Sequence, residues 1–88
     1  MSRLAHLNPD LARRCVLGTK DAAAFIGLSV PTLRRMKDRN SIPAPIRLSE
    51  RRLGWRIGDL SDWLDGRAEG LDWDAVLASR ANSNNRNA

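Results

Sequence analysis

The sequence predicts one small domain that is mainly α-helical and carries a single β-hairpin. Three observations carry this. Two short amphipathic stretches, Lys20–Ile26 and Val30–Arg39, flank Gly27; a glycine at that spacing ends one helix in the left-handed conformation just before the next begins. Ile46-Arg47-Leu48 and Leu53-Gly54-Trp55-Arg56 alternate apolar and polar on either side of the polar turn Ser49-Glu50-Arg51-Arg52, as paired strands do. Leu60, Trp63 and Leu64 recur at the i, i+3, i+4 spacing of a further helix face. A chain of 88 residues supports one hydrophobic core rather than two.

In chain order, Asn8-Pro9-Asp10 reads as a helix start, with Asn as N-cap, Pro in the first turn and an acid at the positive end, opening a short helix over Pro9–Arg14. Gly18-Thr19 punctuates the chain, and Thr19 caps a helix over Lys20–Ile26. Ser29 is the next N-cap, and Val30-Pro31 opens a helix that stops before Asn40-Ser41-Ile42-Pro43. Pro43 and Pro45 make an extended connector into the hairpin. Gly58-Asp59 starts the third main helix, which Gly66 and Gly70 are expected to break. Leu71–Ala78, with Trp73, Val76 and Leu77, is expected to form one more short helix. Ser79–Ala88 is rich in Asn and Ser and reads as a disordered tail. The organisation is therefore an N-terminal extension over 1–16, the main domain over 17–65, a short C-terminal helix over 66–78 and a tail over 79–88.

Composition excludes several classes. Hydrophobic residues are 42% and charged residues 28%, ordinary for a globular domain. The single cysteine, Cys15, rules out an intrachain disulfide, and with His6 as the only histidine no metal site and no nucleophile–base pair can be drawn. No catalytic residue, cofactor or metal is expected, so the chain is expected not to be an enzyme. The longest apolar run, Ala22–Leu28, is far short of the ~18 residues needed to span a bilayer. The first residues lack an apolar secretory core. The expectation is a cytoplasmic, nucleoid-associated protein with no membrane partner.

Charge is the strongest functional signal. The net charge is +5, and 13 of the 15 cations are Arg. Residues 19–56 hold nine cations (Lys20, Arg34, Arg35, Lys37, Arg39, Arg47, Arg51, Arg52, Arg56) against Asp21, Asp38 and Glu50. Residues 57–74 hold Arg67 against six acids. Arg forks match phosphates and guanine edges, so the basic middle points to a polyanion.

The helices about Gly27 form a helix-turn-helix pattern. Ala23 supplies the small side chain needed where the two helices cross, Ala22 and Ile26 precede the turn, Leu28 plugs it, and Leu33 and Met36 face inward. A wheel of the second helix places Pro31, Arg34, Arg35 and Asp38 opposite Leu33 and Met36, with Thr32 and Arg39 on one flank. Ser29 and Thr32 at its start suit phosphates, Arg34 or Arg35 suits a guanine edge, and Arg39 on the flank joins the DNA-binding set. Asp38 either orients Arg34 or accepts from a cytosine amine; the alternative is a surface i,i+4 ion pair worth only ~0.3–0.5 kcal/mol. Arg51 and Arg52 at the hairpin tip read as a wing against the DNA backbone or minor groove, with Arg47 and Lys20 flanking. Trp55 and Trp63 read as core. Trp73, like Leu77, either packs down on the domain or meets another protomer.

Lys20-Asp21-Ala22-Ala23, Gly27-Leu28-Ser29 and Thr32-Leu33-Arg34-Arg35, followed by Pro43-Ala44-Pro45-Ile46-Arg47-Leu48, Gly54-Trp55-Arg56 and Asp59-Leu60-Ser61-Asp62-Trp63-Leu64, resemble AlpA-type prophage regulators within the broader MerR-like group. The resemblance covers about residues 17–65. It implies a winged helix-turn-helix of the MerR/excisionase-like kind, with Ser29, Thr32, Arg34, Arg35, Arg51 and Arg52 on DNA. Such proteins either activate transcription of element genes or act as excisionases, the recombination directionality factors that bind attachment-site DNA and help an integrase excise. The charged Arg51-Arg52 turn departs from the family pattern.

The expected function is thus a sequence-specific excisionase of a mobile element, binding double-stranded DNA cooperatively with bending and working with a site-specific integrase. A transcriptional regulator of prophage or element genes is the alternative, and a protein-interaction module the second alternative. The charge split further suggests head-to-tail self-association on DNA, the acidic segment with Trp73 and Leu77 of one copy meeting the basic surface of the next.

Overall fold

The structure, a computed structural model, describes residues 8–87; the expectations for residues 1–7 of the N-terminal extension and for Ala88 lie outside them. The fold is mainly helical with a small three-stranded antiparallel sheet. In order the elements are α1 (Pro9–Arg14), β1 (Val16–Gly18), α2 (Thr19–Phe25), α3 (Val30–Asp38), β2 (Ile46–Ser49), β3 (Arg52–Arg56), α4 (Ile57–Ala68) and α5 (Trp73–Asn87). The strands lie in the order β1-β3-β2. Leu17 faces Trp55 and Gly18 faces Gly54 across one ladder. Ile46 faces Gly54 and Arg47 faces Leu53 across the other, which is irregular between Arg47 and Ser49. Among the described residues no helix is long and apolar enough to cross a membrane.

The helix ends follow from local chemistry. Asn8 caps α1, its side chain accepting from the Leu11 amide at 2.8 Å, with Pro9 in the first turn. Gly27 adopts φ +76° after α2, which lets its own amide reach the Ala24 carbonyl and the Leu28 amide reach the Ala23 carbonyl. The same paired closure ends α4 at Gly70, at φ +80°, and ends α3 at Asn40, at φ +58°. Asp72 caps α5 by accepting from the Ala75 amide at 2.8 Å.

The core joins all the helices but α1 to the sheet. Ala22, Ala23, Ile26, Leu33, Ile42, Trp55, Leu60, Trp63, Trp73 and Val76 are buried together, with Leu17, Leu28 and Met36 packed against them. Two indoles make it specific. Trp55 Nε1 donates to the Pro43 carbonyl at 3.0 Å and Trp63 Nε1 to the Ser41 carbonyl at 2.9 Å. The connector that carries no secondary structure is thereby pinned to β3 and α4, with the Ser41 and Pro43 carbonyls satisfied. Trp55 and Trp63 are core residues, as the sequence suggests.

Four expectations need correction. Val16–Gly18 is a strand paired with β3, so the boundary between an extension and the main domain at 16/17 cuts through the sheet. The described helix of the extension is docked: α1 packs on α4, and Arg13 Nη2 donates to Asp62 Oδ2 at 2.9 Å. That bond, with the charges of Asp62, Asp59 and Asp10, outweighs the opposing effect of burial and holds the Arg13 guanidinium pKa above its ordinary value. Thr19 does not cap α2; the cap position is Gly18, without a side-chain bond, and Thr19 is the first helical residue. Gly66 lies inside α4, buried. A Cβ there would run into the Val76 side chain, so the residue serves close helix approach rather than helix ending. Finally, α5 extends from Trp73 to Asn87 through most of the segment expected to be disordered. Arg80 holds it down, with Nη2 3.1 Å from Asp59 Oδ1 and Nε 3.8 Å from Asp62 Oδ2, and its guanidinium 5.5 Å from the centre of the Trp73 ring. Once a helix is nucleated, each further residue adds a bond at little cost.

Candidate nucleic-acid interface

The candidate face begins at the turn between α2 and α3. Ala22 and Ala23 are 0% and 2% exposed, so α2 and α3 approach closely where a larger side chain would separate them. Leu33 is fully buried and Met36 is partly buried, which fixes the rotation of α3 about its axis. Arg34, Arg35 and Asp38 are consequently exposed on the outer side, as the wheel requires.

The head of α3 is ordered by side chains. Ser29 is its N-cap. Its hydroxyl accepts from the Thr32 amide at 3.3 Å and donates to Thr32 Oγ1 at 2.9 Å. Arg35 Nη2 donates to the same Thr32 oxygen at 3.2 Å. Arg34 makes no side-chain bond among the described residues and projects freely. Asp38 does not pair with Arg34; its carboxylate lies 3.8 Å from Lys37 Nζ instead. Arg39 sits at the far end of α3 as its C-cap. It lines a depression there together with Arg67, Asp72 and Asp74, so acids attenuate its positive potential.

The hairpin places its cations as a second group. Lys20, Arg51 and Arg52 line one depression of about 440 Å³ with Val16, Leu48, Leu53 and one acid, Asp21. The helix α2 therefore presents Lys20 beside the hairpin tip. Arg47 Nη1 donates to the Glu50 carbonyl at 3.4 Å and steadies the turn. Because α2 packs both on α3 and on β1 and β3, it is the element that fixes the two cationic groups with respect to each other. Of the nine cations between residues 19 and 56, only Lys37 has an ion-pair partner among the described residues. The remaining eight stand in water with their charge uncompensated at contact distance, the arrangement that attracts a polyanion.

Sequence reasoning missed a further basic group. Arg13, Arg14, Arg56 and Arg80 line a depression of about 220 Å³ that also takes in Asp10 and Asp59. No local pattern signals it, because it gathers residues from α1, the end of β3 and α5. The residues proposed for protomer contact divide. Trp73 is 7% exposed and belongs to the core, which removes its ring from any docking surface, whereas Leu77 is 43% exposed. Compared with protein-family models, curated proteins and solved structures, the chain matches none.

Proposed function

We propose that the chain is a winged helix-turn-helix DNA-binding protein in which α3 enters the major groove and the β2–β3 hairpin is the wing. The single observation that carries this reading is the head and outer face of α3. Its start is capped by Ser29, which bonds Thr32, its inner side is fixed by Leu33, and two exposed arginines follow, one free and one steadied. The amides at a helix start suit phosphate oxygens, and exposed Arg forks suit guanine edges. Lys20, Arg51 and Arg52 supply backbone contacts from the wing side.

Within that reading we place the chain as an excisionase of a mobile element that binds attachment-site DNA cooperatively, bends it, and assists an integrase from a cytoplasmic, nucleoid-associated position. What supports this is the resemblance of residues 17–65 to AlpA-type regulators and excisionases, together with the separation of cations in 19–56 from acids in 57–74. The second reading, a transcriptional regulator of element genes, uses the same face. Mapping of bound DNA in the source cell at base-pair resolution tests both. Clustered direct repeats beside an integrase attachment site are the expected result. Isolated sites upstream of promoters would favour the regulator. Absence of enrichment, with affinity indifferent to salt in vitro, would overturn DNA binding and leave the protein-interaction module.

A further inference from the structure

The face proposed for DNA contact does not include the acids of α4 and α5. A groove of about 240 Å³ runs between these helices, with Gly66, Leu71 and Val76 in its apolar wall and Asp62, Asp65, Glu69, Ser79 and Arg80 around its rim; the Arg80 charge is taken up by Asp59 and Asp62. Gly66 and Val76 are buried against each other, while Leu71 remains 38% exposed. Asp62 is already engaged by Arg13 at 2.9 Å and Arg80 at 3.8 Å. Asp65 and Glu69 are exposed, and among the described residues no cation lies within ion-pair distance of either.

We propose that this groove docks a cationic segment of another protein, which inserts one apolar side chain against Leu71 and Val76 and sets Arg or Lys beside Asp65 and Glu69. The charge complementarity selects the class of partner. Nucleic acid and anionic membrane surfaces are repelled by the same carboxylates. The volume lies below the ~300 Å³ at which small-molecule pockets begin, so it suits a single side chain rather than a metabolite. The hairpin of a second copy does not fit: its cations surround Val16 and Leu48 on the face of the sheet, and a sheet face does not enter a groove. The inference stands on the groove itself and holds whether or not α3 reads DNA.

The test is done on the full chain without DNA. Two short synthetic peptides, each with arginines on both sides of a central residue, are titrated into the labelled protein and followed by amide chemical shifts. The first carries Leu at the centre and the second Asn. The Leu peptide should shift Gly66, Leu71 and Val76, and the Asn peptide should bind about tenfold more weakly, since the apolar anchor is lost. The double variant Asp65→Asn with Glu69→Gln should keep the native spectrum and lose binding by a similar factor. Equal binding of both peptides, shifts spread over Asp72, Asp74 and α1, no binding at all, or concentration-dependent shifts at the groove without peptide would each overturn the proposal. A normal DNA-binding result alongside any of these would leave the reading of α3 intact.

Discussion

Ser29 and Thr32 lock each other at the head of α3: Ser29 Oγ donates to Thr32 Oγ1 at 2.9 Å while accepting from the Thr32 amide at 3.3 Å. The Arg35 guanidinium hangs on the same threonine oxygen, so the cap of the helix and the pose of an exposed arginine are coupled through one atom. Ser29→Ala removes the cap acceptor and should lower unfolding free energy by about 1 kcal/mol, read from urea midpoints. Thr32→Val preserves shape but removes the oxygen that holds Arg35. It should leave stability nearly unchanged and weaken binding to the preferred DNA site more than binding to random sequence. Equal loss on both DNAs would show that steadying Arg35 plays no part in recognition.

Arg34 and Arg35 occupy the same face but differ in freedom, one unbonded and one tied to Thr32. Arg34→Ala and Arg35→Ala should erase sequence preference in at least one case, at about 1–3 kcal/mol of discrimination. Arg51→Ala and Arg52→Ala should weaken binding to all sequences and reduce the slope of log affinity against log salt by about 1 each. Competition binding across several salt concentrations separates the two behaviours. Uniform losses from all four variants would contradict the assignment of α3 to the bases.

Gly66 poses a conflict whose sign can be predicted. Inside a helix, Gly→Ala is favourable by about 1 kcal/mol from propensity alone. Here the new methyl would meet the Val76 side chain, itself 8% exposed and held in the core. Overpacking of this kind costs about 1–3 kcal/mol, so Gly66→Ala should destabilise on balance. Gly66→Ala combined with Val76→Ala should recover part of the loss, because the clash then has room. A stabilised single variant would show that α5 slides aside freely.

Local signals made much of the architecture legible. Asn8 with Pro9, Ser29 with Pro31, and the left-handed closures at Gly27 and Gly70 are written in residues adjacent to the feature they create. The alternation around Glu50 and Arg51 gave the hairpin, and the Leu33–Met36 spacing gave the exposed face of α3. What stayed hidden depends on partners far along the chain. Val16–Gly18 is too short to show a period and becomes a strand only through β3. The Arg13–Asp62 bond spans 49 residues and the Arg80–Asp59 bond spans 21, so neither the docking of α1 nor the persistence of α5 has a local signature. The acidic run reads as one segment turned toward a neighbouring copy, yet Asp59 pairs with Arg80, and Asp62 with Arg13 and Arg80, within the chain, leaving Asp65 and Glu69 unpaired among the described residues.

Arg80 tests how α5 is held. Its guanidinium reaches Asp59 and Asp62 and lies over Trp73, but its side chain is 41% exposed, so solvent screens the ionic part. Exposed pairs contribute ~0.2–1 kcal/mol and an exposed cation–π contact about 0.5–1 kcal/mol. The contacts share one side chain and do not add; Arg80→Ala should therefore cost about 1 kcal/mol in total, with some loss of helical circular dichroism as the end of α5 frays. Asp62 keeps Arg13 in that variant, so α1 should stay docked. High salt weakens the Arg13–Asp62 pair in both proteins but the Arg80 contacts only in the parent, so the stability gap between them should narrow as salt rises. A gap indifferent to salt would instead assign the anchoring of α5 to the packing of Arg80 on Trp73.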